Sequence, residues 1–276
     1  MNADNIIYKA YNFWRRAYSK YYPVMRPYEY KPSRYEDSFM SNPTYEICNE
    51  AIAPVKRTIF CFWTGDNEMP VNRKHAFDVL VSKSGVDVCL VTNKNLNDYI
   101  LDSDPLPDCY YMLSDVHRAD YLRTYFMHYY GGGYSDIKET THDWNESFDL
   151  IDNNPDCYIC SYRELSIHTI GNKNIHDKAL RRDLWVYYKN LAGNCAYICR
   201  PGTAFTLDWL NELKRRIEFL SPELIKHPAL DPYGSNADYP VPWTYILGEI
   251  FHPLCLKYHN NILFDDKLLP IVYGYR

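Results

Sequence analysis

Four charged side chains close together in the chain carry the chemistry that its residue types allow. Asp120 and Arg123 stand three residues apart, Asp136 and Lys138 two apart, on either side of the run Gly131, Gly132, Gly133. An aspartate near a strand tip, with a second aspartate and an arginine beside it, has the donors and acceptors to hold ribose hydroxyls, a metal ion, or both. Glycines let a backbone approach a ligand closely, and in open α/β sheets ligands collect at strand ends. The purely structural alternative is a half-buried Asp120–Arg123 pair that satisfies itself. GGGYSD is not a dinucleotide-binding G-x-G-x-x-G and no helix pattern follows it, which opposes a hydride-transfer enzyme.

Elements must position these groups. Ser114 is a good N-cap for a helix that runs to the glycines, which stop it by supplying positive φ. Ala119, Leu122, Phe126 and Tyr129 recur at helical spacing as its core stripe, and Asp120 and Arg123 share the adjacent stripe. Beyond the glycines, Tyr134 to Lys138 reads as a strand whose alternation puts Tyr134, Asp136 and Lys138 on one face, Ser135 and Ile137 on the other. Upstream, Lys56 to Trp63 reads as a buried first strand, Pro70 to Ser82 as a helix, Val86 to Val91 as a continuous apolar strand, and Leu96 to Leu101 as a short helix. Further strands are expected at Cys157 to Tyr162 and Cys195 to Cys199, and helices near Asp177 to Asn190, Thr203 to Leu220 and Trp243 to Tyr258. This alternation is that of one α/β domain over 56–276 with a mostly parallel sheet, preceded by a helical, aromatic extension over 1–55.

The chain has 276 residues, 46% hydrophobic and 24% charged, an ordinary globular composition with a net charge of -5. No long Lys/Arg run is present, which argues against nucleic acid as a partner. No window is apolar enough for a membrane span and no secretory signal is visible, so a cytoplasmic location is expected. Nine cysteines, an odd number, lie in β-prone runs, which suits reduced thiols better than disulfides; Cys157, Cys160, Cys195 and Cys199 lack the turns a zinc knuckle needs. Residues 1–35 hold seven Lys or Arg against Asp4 and Glu29, a local +5 that leaves -10 for the remainder. With Trp14 and the interleaved tyrosines, this segment suits either peripheral contact with an anionic membrane face or a helix laid against the main domain with its cations in solvent.

Ala119-Asp120-x-x-Arg123, an aromatic run, then Tyr130-Gly131-Gly132-x-Tyr134-x-Asp136 resembles the donor-site signature of GT-A type sugar transferases, in particular glycosyltransferase family 32 with its DXD-motif sugar-binding region and the capsular polysaccharide synthesis proteins. IFCFWTG, ending near Trp63 and Thr64, is similar to the same families' first strand, and Asn194 to Thr203 more loosely to a later strand and loop. The resemblance implies a single Rossmann-like domain with a donor half over 56–140 and an acceptor half with a lid over 141–276. It implies transfer of a sugar from a nucleoside-diphosphate sugar, UDP-sugar favoured, to a hydroxyl of a glycan or lipid-linked acceptor, with retention. It casts Asp120, Arg123 and Asp136 as catalytic, and Trp63 as the platform for the base. Thr64, Tyr134, Lys138, Asn194 and Trp243 become donor-binding residues, with Trp243 closing over the diphosphate from the proline-rich loop Asp231 to Trp243. The family places a second aspartate where this chain has Lys138. A divalent cation, Mn2+ or Mg2+, is then expected at Asp136 with help from Glu139 and His252, unless Lys138 itself neutralises the diphosphate. The alternative outcome is a catalytically silent protein that binds nucleotide-sugars or glycans.

Overall fold

The computed structural model describes residues 3–43 and 53–273. Most of the linker between Pro43 and Pro54 lies outside them. In chain order the main elements are α1 (Ala3–Met25), β1 (Thr58–Trp63), α2 (Val71–Lys83), β2 (Asp87–Thr92), α3 (Asp115–Tyr129), β3 (Gly132–Ser135), α4 (Asn145–Asp152), β4 (Ile159–Arg163), α5 (Lys178–Val186), β5 (Ala192–Cys199), α6 (Ala204–Lys226), α7 (Gly248–Lys257) and β6 (Ile262–Phe264).

The strands form one six-stranded sheet in the order β2-β1-β3-β5-β4-β6. Five run the same way, and β5 alone is antiparallel to both of its neighbours. The fold is therefore α/β with a mostly parallel sheet, compatible with a Rossmann-like domain. The period-2 geometry of β1 divides its side chains between two cores. Phe60 and Phe62 join one core with Leu122 and Phe126 of α3, Trp209 of α6 and Phe251 of α7. Ile59 and Cys61 join the other with Leu80 of α2 and Phe148 and Ile151 of α4. Helices thus cover both faces, which is why β1 reads as an uninterrupted apolar run. β2 is the sheet edge, so of its apolar residues only Val91 is fully buried.

Two of the three central glycines are conformationally required. Gly131 (φ +61°) and Gly132 (φ +88°) lie in the left-handed region, and a Cβ on either would fall within 3 Å of Pro201 or of the Thr58 carbonyl. This tight passage turns the chain from α3 straight into β3, between β1 and β5.

The segment before the sheet is anchored by buried charge. Arg34 donates to both carboxylate oxygens of Asp183 on α5 (2.6 and 2.9 Å), and Tyr35 Oη donates to Asp183 Oδ2 (2.9 Å). Lys257 on α7 donates to the Asn42 carbonyl (3.0 Å) and to Asp208 (2.7 Å). α1 lays Tyr18 and Tyr22 against Trp185 and Tyr187 near α5. The helix leaves Phe13, Tyr21, Val24 and Met25 exposed, together with Lys9 and Lys20. No described helix is long and apolar enough to cross a membrane.

Candidate functional site

α3 is capped as its sequence dictates: Ser114 Oγ accepts from the His117 N–H at the first turn. The expected single core stripe is not what forms. Every residue from Asp120 to Met127 is buried, because the helix is enclosed by the sheet, α6 and the segment between β2 and α3. Asp120 and Arg123 are accordingly 3% and 7% exposed, deeper than a helix margin.

The strand expected to run from Tyr134 to Lys138 ends at Ser135. Asp136 N–H still donates to the Cys195 carbonyl on β5, but Lys138 N–H then donates back to the Asp136 carbonyl at 2.7 Å, closing a three-residue turn. That turn replaces strand alternation as the reason Lys138 and Asp136 meet. Lys138 Nζ lies 2.9 Å from Asp136 Oδ2 and 3.1 Å from Cys195 Sγ. On the other side Arg123 Nη2 lies 3.5 Å from Asp136 Oδ1 and 3.0 Å from Asp120 Oδ1. The result is an alternating row of carboxylate, guanidinium, carboxylate and ammonium. Tyr134 Oη donates to Asp136 Oδ1 at 2.6 Å, and its ring lies 4.4 Å from the Arg123 guanidinium.

Burial pushes the Asp120 carboxyl up to about 6, with Arg123 opposing it. Burial also works against the charged form of Asp136, but Lys138, Arg123 and the Tyr134 hydroxyl outweigh it and hold that carboxyl at about 2. Lys138 is held above its ordinary range because Asp136 overcomes the cost of burial. Asp136 is therefore a fixed anion at neutral pH, and Asp120 titrates near neutrality.

These groups open onto a cleft of about 240 Å³ whose lining includes Trp63, Arg73, Arg123, Tyr134, Asp136, Lys138, Tyr233 and Trp243. Three cations against one carboxylate make it anion-favouring. The Nε of Arg123 is buried with no hydrogen-bond partner among the described residues. An unmatched buried donor costs about 1–3 kcal/mol until an oxygen meets it.

Of the residues singled out in the sequence, Trp63, Arg123, Tyr134, Asp136, Lys138 and Trp243 share this cleft, with Asp120 behind Arg123. The Trp63 indole N–H is held by the Asn67 carbonyl at 2.9 Å, fixing the ring at the end of β1. Thr64 and Asn194 lie outside the cleft lining. Thr64 Oγ1 donates to the Asp115 carbonyl, and its own carbonyl accepts from Asn93 and Arg118, so it pins the end of β1 to α3. Asn194 offers its backbone carbonyl to Arg123 Nη1 (3.0 Å). His252 is displaced from the expected metal position: it is fully buried on α7, accepts from the Gly171 N–H (3.1 Å) and faces Glu164 (3.4 Å). Glu139 leans toward His75 instead.

The residues present do not fit a divalent cation. Both oxygens of Asp136 are engaged by cations or a hydroxyl, and among the described residues no three His, Cys, Asp or Glu side chains converge. An ammonium at 2.9 Å occupies the approach that a metal would need.

Three contributors escaped sequence reasoning. Arg73, in the first turn of α2, reaches the Ile137 carbonyl (2.8 Å) and lines the cleft. His117 and Tyr239 fasten the loop that carries Trp243: Tyr239 Oη accepts from the Ser114 N–H and meets His117 Nδ1 (2.9 Å), while His117 Nε2 faces the Trp243 carbonyl (3.4 Å). Burial depresses His117 to about 4, so it is neutral and its two ring nitrogens serve as one acceptor and one donor. The spacing Ser114-x-x-His117 is the only local signal for this post. Compared with protein-family models, curated proteins and solved structures, the chain has no significant match.

Proposed function

We propose that the cleft lined by Trp63, Arg123 and Lys138 binds a nucleoside-diphosphate sugar and that the protein is a GT-A type glycosyltransferase, passing the sugar to a hydroxyl of a glycan or lipid-linked acceptor. The observation that carries this reading is the gathering of Arg73, Arg123 and Lys138 around one carboxylate in a cleft that also holds the Trp63 ring, with the buried Nε–H of Arg123 unmatched among the described residues. Its support from the sequence is the resemblance of Ala119 to Asp136 to the family's donor signature.

In this reading Trp63 stacks on the base, for which UDP is the favoured nucleotide, and contributes about 1–3 kcal/mol. Arg123 and Lys138 take the role that a metal plays elsewhere. They stabilise the departing diphosphate as the bond from C1 to the phosphate oxygen breaks and the bond from C1 to the acceptor oxygen forms. The electron pair leaves with the diphosphate, and with retention the acceptor proton follows it to the phosphate oxygen on the same face. Asp120 and Asp136 hold the two cations in register and accept from ribose or sugar hydroxyls.

At about 240 Å³ the cleft is smaller than the roughly 300–1,000 Å³ of typical small-molecule sites. Only part of a donor therefore fits within the cleft, and the remainder would lie against the exposed rings of Tyr233 and Trp243, 62% and 54% exposed. A second reading, binding without turnover, is favoured by the ion pair that already occupies Asp136.

Donor hydrolysis and transfer, measured over a panel of UDP- and GDP-sugars with and without Mn2+, separates the two. Turnover that Mn2+ does not change supports the transferase with cationic residues in the metal's place. Nucleotide binding without turnover, acceptors included, supports the silent protein, and absence of binding removes both.

A further inference from the structure

A second and larger cleft, about 690 Å³, lies on the other side of the loop that carries Trp243: Trp243 lines the smaller cleft and its neighbour Pro242 the larger. It forms where the anchored segment 36–42 meets the start of α5, one face of α6 and the start of α7. Its electrostatics are the reverse of the first. Five carboxylates line it, Glu36, Asp37, Asp177, Glu212 and Glu249, against the guanidiniums of Arg215 and Arg216. Both guanidiniums are taken by Glu212 at 2.7 Å. Arg216 is committed further to the carbonyls of Tyr245 and Glu249 and lies against the rings of Phe39 and Tyr245.

Glu249 is the unusual member. It is fully buried, and its Oε1 accepts from the Asn174 N–H, the Asn174 side chain and Thr244 Oγ1 at 2.8–3.1 Å. Its Oε2 has no hydrogen-bond partner among the described residues. A buried carboxylate oxygen without a donor is costly, and that cost is removed when a cationic donor arrives. A bare metal ion does not suit the site, since the described carboxylates do not converge in threes. The volume falls within the range of organic ligands. Asp177 is already spent capping α5, which leaves the exposed Glu36 and Asp37 at the rim, neither of them in an ion pair among the described residues.

We infer that this cleft binds a small polar organic ligand through an ammonium group seated at Glu249 Oε2, with Glu36 and Asp37 drawing the cation in. The site stands independently of the reading of the smaller cleft, because none of its lining residues is shared with it.

The test uses the aminoglycoside kanamycin as a polyhydroxylated ammonium probe and its fully N-acetylated form as the neutral control, titrated by calorimetry against the full chain without nucleotide. Kanamycin should bind with an affinity that falls as salt rises, and the acetylated form at least about tenfold more weakly. Glu249→Gln should weaken kanamycin about tenfold to a hundredfold, as expected for loss of a charged hydrogen bond. The double change Glu36→Gln with Asp37→Asn, on exposed residues, should weaken it about fivefold without changing Tm. UDP affinity, which reports the smaller cleft, should be unchanged by the rim pair. Failure of kanamycin to bind, equal binding of the two probes, or full affinity in the rim double variant overturns the proposal. The rim variant decides the matter even where Glu249→Gln fails to fold.

Discussion

Replacing Lys138 with methionine removes one charge and little volume from the centre of the candidate site. Lys138 Nζ is 2.9 Å from Asp136 Oδ2 and the residue is 5% exposed. At that distance the attraction is about 6 kcal/mol with an effective dielectric of 20, and about 1.4 kcal/mol in water. Breaking a buried pair typically costs about 3–5 kcal/mol. Asp136 keeps Arg123 and the Tyr134 hydroxyl, and it is 24% exposed on its side chain, so the expected loss is smaller, about 2–3 kcal/mol. For a chain of this size that lowers Tm by roughly 5–10 °C. The acid limb should move as well. A carboxyl held at about 2 contributes stability that is complete above the unfolded value near 4 and disappears as pH falls through about 2. Without Lys138 the Asp136 carboxyl titrates higher, and acid unfolding should begin at higher pH. If Lys138 also neutralises a bound diphosphate, UDP affinity measured by calorimetry falls about tenfold or more. An unchanged Tm refutes the ion pair, and an altered Tm with unchanged UDP affinity refutes the role assigned to Lys138 in binding.

Three further outcomes are expected. Trp63→Ala should weaken UDP by about 1–3 kcal/mol, roughly fivefold to 150-fold, with a smaller effect on stability because the ring is only partly buried; equal UDP affinity removes it from the site. Asp120, raised to about 6 chiefly by burial, contributes stability below the unfolded value near 4 and loses it as pH climbs through about 6. The difference in unfolding free energy between wild type and Asp120→Asn should therefore fall by about 3 kcal/mol between roughly pH 4 and 7, and a flat difference contradicts the burial argument. The exposed face of α1 should float the protein with phosphatidylserine vesicles at low salt, and changing Phe13, Val24 and Met25 together to serine should reduce flotation about tenfold without lowering Tm; wild type that stays off the vesicles refutes a membrane role for this face.

Local signals carried the elements better than their environments. The cap at Ser114, the glycine stop and the apolar run of β1 act within a few residues, and each was legible. The extent of β3 was misread, because pairing of Asp136 with Cys195 on β5 and the turn to Lys138 depend on a strand distant in sequence. The stripe assigned to α3 failed for a related reason: Tyr121, Tyr125 and Met127 look like a solvent-facing side until α6 and the segment between β2 and α3, with Tyr110 on Tyr121 and Leu101 and Asp104 on Tyr125, close over them. α4 and β6 were missed, being short and without strong periodicity.

By itself the sequence determined the α/β alternation, the placement of Trp63 at a strand end, and the proximity of Asp120, Arg123 and Asp136, since all three follow from spacing along one helix and one turn. Tertiary structure alone decided that Lys138 closes on Asp136, that Arg123 keeps one buried donor unmatched among the described residues, that His252 sits apart from the cleft, and that segment 36–42 completes a second cleft of opposite charge. Each of these depends on which distant backbone packs alongside, and so on a balance of burial and charge that no local spacing encodes.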